Sequence, residues 1–116
     1  MKLWEAMLKG SKLRPQVFGA THNEFGTCAM GAAFEGAGIP FSENPILRVV
    51  FPESGPIQDS SCPVCELGSI YRNNRGLIPH LNDDHNWSRE CIAYYIRDTF
   101  EKKDTKTEEV FHEILV

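Results

Sequence analysis

The stretch from Cys62 to His85 decides how this chain folds: it opens with Cys62-Pro63-Val64-Cys65 and closes with His80-Leu81-Asn82-Asp83-Asp84-His85. Fourteen residues separate the cysteine pair from His80, and four more separate His80 from His85. Two cysteines with two residues between them can bend round one ion and offer two thiolates. Two histidines a helical turn or so apart can complete a tetrahedron. Each spacing falls within or just beside the range used by zinc sites. Pro63 stiffens the turn between the sulfurs. Cys62, Cys65, His80 and His85 are therefore expected to form one structural metal site, with zinc as the ion. A redox dithiol is a competing reading of Cys62 and Cys65, but the strand–motif–helix setting of such a pair is missing. Ordinary packing or surface residues is another. Only a metal uses both pairs at once.

The four-ligand pattern resembles a Cys2His2 zinc finger stretched by two residues, with Ile70 and Leu77 where such a finger keeps its small core. The resemblance implies metal binding. Pro79 departs from it, because proline is comfortable only in the first turn of a helix, so His80 must lie at a helix start or outside one. A DNA-reading finger carries its histidines further along a helix whose earlier turns face the bases. That surface is shortened or lost here. Asp83 and Asp84, between the histidines, are either partners to an imidazole N–H or a solvated acidic turn. Cys91 is an alternative ligand, or a buried small hydrophobe.

The run from His80 through Trp87-Ser88-Arg89-Glu90-Cys91-Ile92-Ala93, taken with the cysteine pair, is similar to small bacterial and phage proteins that carry His-Leu-Asn-Asp, a second His, Trp, Ser, Arg-Glu and Ile-Ala. No activity comes with the resemblance. It implies a bacterial or phage origin and spans about a quarter of the chain.

Outward from the site, Ser88 is expected to cap the longest helix, with Ile92, Tyr95, Ile96 and Phe100 as its buried stripe. Glu90 suits the start of that helix and Lys102 and Lys103 its end. Thr105-Lys106-Thr107-Glu108 matches a capping box for a last helix bearing Val110, Phe111, Ile114 and Leu115. Towards the N-terminus, Leu3, Trp4, Met7 and Leu8 share one face of a short helix ending at Gly10-Ser11. Thr27 is expected to cap a helix over residues 28–35, whose Ala29, Gly31, Ala32 and Ala33 suit close packing. Residues 45–51 form the best strand candidate, bounded by Pro45 and Pro52. The expected organisation is an N-terminal helical unit over 1–51, a linker over 52–61 and a metal-binding helical unit over 62–116, together one compact domain. The fold class is mainly α, a small α+β chain of short helices and minor strand around the Cys2His2 site.

The 116 residues bound the alternatives. A hydrophobic share of 41% with 10% aromatics fits a folded globule, and nine Gly with seven Pro in so short a chain favour a staple. No apolar run approaches bilayer length and no signal peptide is visible, so no membrane is expected as a partner and the cytoplasm is the expected compartment. Thiols stay reduced there, which is a further reason to give the cysteines to a metal. Sixteen acids against twelve bases give a net charge of −4, which disfavours phosphate binding. The Ser88 helix looks like the positioning helix of a helix–turn–helix regulator, but Glu108, Glu109 and Glu113 occupy the segment where a basic recognition helix would follow. Cys28, at a helix start with His22 nearest, is a candidate nucleophile or a packed core thiol. His112 is expected at the surface. The glycines between Gly26 and Gly38 lack the Gly-Lys-Ser/Thr of a phosphate loop. Trp87 and Tyr94 are candidate interface aromatics, with core packing as the other role for Trp87.

Three functions follow as expectations. The first is a non-catalytic, zinc-stabilised module, with no enzyme activity, that binds another macromolecule, protein rather than nucleic acid. The second is a nucleic-acid-binding regulator of zinc-finger or helix–turn–helix type. The third is a thiol-dependent enzyme using Cys28.

Overall fold

The computed structural model describes residues 1–73 and 75–101. The expected last helix, Lys102, Lys103 and His112 lie outside the described residues. The chain is mainly helical: α1 (Leu3–Ser11), α2 (Ala29–Gly36), a 3-10 turn (Phe41–Glu43), α3 (Leu47–Val50), α4 (Ser54–Asp59), α5 (Leu77–Asp83) and α6 (Arg89–Ile96), which runs on into a π turn over Arg97–Glu101. Among the described residues, extended pairing is confined to isolated bridges from Thr27 to Gln16 and to His22.

The α1 and α2 helices form the most intimate pair. Leu3, Ala6 and Met7 of α1 and Ala29, Ala32 and Ala33 of α2 are all fully buried. Gly10 and Gly36 set how close the two backbones come: a Cβ at Gly10 would lie 1.7 Å from the Ala32 carbonyl oxygen, and one at Gly36 would lie 1.8 Å from that of Ala6. The small-residue face expected for the second helix therefore packs as its composition suggested. Its start differs by one residue. Cys28 is the N-cap and offers no side-chain bond. The cap comes from far along the chain, where the Asn82 Oδ1 accepts the Ala29 N–H at 3.1 Å.

The expected strand over 45–51 is a helical turn instead. Leu47 and Phe51 are buried while Arg48 and Val49 point out, a spacing of four that one helical turn satisfies, and no neighbouring strand is present among the described residues to pair with it. Residues 52–61, expected as a linker, carry α4. Pro56 falls in its first turn, where its missing N–H leaves no bond unmade. Ile57 is 1% exposed, in the same core as Leu77, Leu81 and Ile92. Glu53 accepts the backbone N–H of Leu3 at 3.0 Å, tying this segment to the start of α1.

The α6 helix follows the sequence closely. The Ser88 hydroxyl accepts the Cys91 N–H at 3.1 Å. Ile92 and Ile96 enter the core, and Tyr95 and Phe100 pack against it. Lys2 and Glu101 pair at 3.2 Å, holding the far end of this element to the start of α1.

Candidate metal centre

The two ligand pairs arrive on different local structures. Cys62 and Cys65 sit on a tight knuckle, in which the Glu66 N–H reaches the Cys62 carbonyl at 2.9 Å and the Cys62 N–H reaches the Leu67 carbonyl at 3.0 Å. Glu66 closes it with a left-handed backbone, φ 62°. The Val64 N–H points at the Cys62 sulfur, 3.4 Å away. His80 stands on α5 directly after Pro79, which occupies the first turn as its chemistry demands. His85 follows the end of that helix, where Asn86 turns left-handed at φ 54° and the Trp87 N–H closes back on the Leu81 carbonyl at 3.0 Å.

These pieces bring one ligand atom from each of Cys62, Cys65, His80 and His85 within 4.8 Å of one another. The His80 Nε2 lies 3.3 Å from the Cys65 Sγ and 3.1 Å from the His85 Nε2. Metal–nitrogen bonds near 2.0–2.1 Å and metal–sulfur bonds near 2.3 Å separate tetrahedral neighbours by roughly 3.3–3.8 Å. The observed gaps sit at or just under that range. Cys62 is 2% and His80 6% exposed, so the cluster is closed off from solvent on that side.

Asp84 orients His80. Its Oδ2 is 2.8 Å from the His80 Nδ1 and also pairs with the Arg75 guanidinium. A carboxylate can only accept, so Nδ1 carries the proton and Nε2 presents its lone pair to the cluster. Desolvation pushes the Asp84 carboxyl up, but the hydrogen bond from His80 and the Arg75 charge together outweigh it and hold the carboxyl below its usual value. Asp83 has a different task. It accepts the Gly19 N–H at 3.0 Å and the Asn82 side-chain N–H at 2.7 Å.

Every polar residue of the 80–89 stretch except Asn86, a turn residue, ties something in place. Asn82 is fully buried; besides capping α2 it accepts from the Gln16 amide at 2.8 Å and donates to the Val17 carbonyl at 3.1 Å. Arg89 is 5% exposed and clasps the loop beyond α1, donating to the Arg14 carbonyl at 2.7 Å, the Ser11 carbonyl at 3.0 Å and the Thr27 hydroxyl at 2.9 Å. On the knuckle side Arg72, 2% exposed, donates to the carbonyls of Leu67 at 2.6 Å, Gln58 at 2.8 Å and Ser60 at 3.0 Å. Sequence reasoning missed these three. Arg89 did leave a trace, sharing a helical face with Ile92, Ala93 and Ile96. Arg72 left none.

Several expectations need correction. Ile70, expected in a finger-like core with Leu77, is 78% exposed, because the described residues before α5 in that segment form turns, and no hairpin is present among the described residues. Leu77 is buried as expected. Cys91, expected as a small buried hydrophobe, faces solvent and lies outside the cluster. Thr27 receives Arg89 rather than capping a helix. Cys28 is buried, and burial pushes its thiol up, the opposite of what a nucleophile needs. His22 stacks flat on Phe41, ring centroids 4.0 Å apart. Trp87 packs against the core and meets Tyr95 edge-on, whereas Tyr94 is exposed under the Arg97 guanidinium. No helix among the described residues is long and apolar enough to cross a membrane. Comparison of the chain with protein-family models, with curated proteins and with solved structures finds no match.

Proposed function

We propose that this chain is a non-catalytic module that holds one structural zinc ion and binds a protein partner. The observation that carries the zinc reading is the convergence of Cys62, Cys65, His80 and His85 within 4.8 Å, with the free nitrogen of His80 aimed inward by Asp84. Two thiolates and two imidazoles gathered within 4.8 Å of one another are a donor set that suits zinc, and four protein ligands leave no position for a substrate. The ion holds the Cys62 knuckle to α5, and α5 is tied to α2 through Asn82, so the staple reaches the whole core.

A protein partner is favoured by charge and by surface. The chain is acidic at −4, and Val64, Leu67, Ile70 and Tyr71 stand exposed on the segment that the ion would anchor. Exposed aromatic and aliphatic groups on a stiffened loop are the anchors of protein interfaces. The test is retention of the zinc-loaded chain on immobilised single-stranded and duplex DNA at about 50 mM salt, where phosphate binding is strong. No retention is expected. Retention that falls steeply as salt rises would replace this reading with nucleic-acid binding.

A further inference from the structure

A groove of about 420 Å³ runs beside the metal centre between α3, α4 and the segment after the knuckle. Its apolar side is formed by Met30, Pro45, Ile46 and Leu47, and Arg48 and Arg75 also line it. Arg75 is engaged by Asp84, so its charge is largely answered. Arg48 forms no ion pair among the described residues. The Ser54 hydroxyl, on a residue that also lines the groove, is fully buried without a hydrogen-bond partner among the described residues. Asp59, one turn further along α4 than Gly55, carries the opposite sign and makes that end unsuited to an acid.

Ile46, which lines the groove, is 60% exposed, and Val49, 74% exposed, follows the lining residue Arg48 in the chain. Ile70 and Tyr71, 78% and 76% exposed, follow the lining residue Ser69. A small ligand confined to the groove would leave these exposed apolar neighbours bare, whereas a chain running through it and beyond could cover them.

We propose that this groove takes an extended peptide segment of a partner protein, with one large apolar side chain over Met30, Ile46 and Leu47 and an adjacent carboxylate against Arg48. The proposal rests on the protein-binding reading above and names the surface and the chemistry it recognises. Asp59 limits the segment to a single acid at the Arg48 end, so a polyacidic strand is disfavoured. The Arg75–Asp84–His80 chain places the groove one residue away from the ligand set, so the zinc fixes the lip that Arg75 belongs to.

The experiment is a two-dimensional NMR titration of the zinc-loaded full chain with the synthetic peptide acetyl-Gly-Ser-Phe-Glu-Ser-Gly-amide. Two control peptides carry lysine for the acid or alanine for the phenylalanine. The first peptide should shift the amides of Met30, Leu47 and Gly55 at millimolar concentration, with both controls at least about tenfold weaker. Gly55→Met should abolish the shifts. A Cβ there meets only the Arg48 side chain, at 3.8 and 3.9 Å, so the longer side chain can enter the groove without striking backbone. Arg48→Glu should remove the preference for the acid. Shifts elsewhere, no shifts, or equal response to the lysine peptide would overturn the proposal, as would concentration-dependent shifts without peptide, which would mean that a second copy fills the groove. Zinc content is measured on the same samples. Zinc present without peptide binding defeats the groove alone, while absence of zinc defeats the zinc module instead.

Discussion

The Asp84 carboxylate lies 2.8 Å from the Nδ1 of His80, while the Nε2 of the same ring lies 3.3 Å from the Cys65 sulfur. One imidazole is thus held at both ends, and its proton is placed on the side away from the ligand cluster. Asp84→Asn replaces an acceptor with an amide that can turn its donors towards the ring. Metal affinity should fall by about 10–100-fold, the usual loss for such an outer partner. Asp83→Asn should leave affinity unchanged, because Asp83 serves Gly19 and Asn82. Competition with a chromophoric chelator reads both variants.

Arg89 holds the loop after α1 to α6 through carbonyls and one hydroxyl rather than through an acid. Burial lowers its pKa, with Glu90, Cys28 and Glu35 acting the other way. Arg89→Ala removes all the donors at once and strands the carbonyls of Ser11 and Arg14. A loss of about 2–4 kcal/mol is expected in denaturant unfolding of the metal-loaded chain, with no change in metal stoichiometry. Lysine should recover little, since one ammonium cannot span the forked set of acceptors.

The four cysteines should separate cleanly under alkylation at neutral pH. Cys91 is exposed and should react first; Cys28 is buried with its thiol pushed up and should react last. Cys62 and Cys65 should be protected while the ion is bound and become reactive when a chelator removes it. Peptide mapping by mass spectrometry follows each site. Rapid modification of Cys28 would revive the thiol-enzyme reading.

Local signals in the chain carried much of this. The Ser88 cap, the Ile92 and Ile96 stripe and the Pro79 constraint depend on neighbours within a turn or two, and the structure has them; the Cys62–His85 pattern is a longer spacing whose four residues the structure brings together. What failed depended on distant partners. Residues 45–51 look β-branched enough for a strand, yet among the described residues no second strand receives them, and Leu47 with Phe51 found the core through a helical turn instead. The α2 cap could not be found locally because it comes from Asn82, fifty-three residues away. Ile70 was placed in a core that only a hairpin could have built. Arg72 and Arg89 satisfy backbone carbonyls, and a carbonyl leaves no mark in a sequence.

Native mass spectrometry of the full chain, purified without added metal, addresses the site most directly. One zinc ion per chain is expected, with chelation lowering the unfolding midpoint because the knuckle and α5 lose their common anchor. Cys62→Ala and His85→Ala should lose the ion, and Cys91→Ala should keep it. A chain that carries no metal, takes none up from solution and keeps the same stability with or without chelator would contradict the metal centre outright.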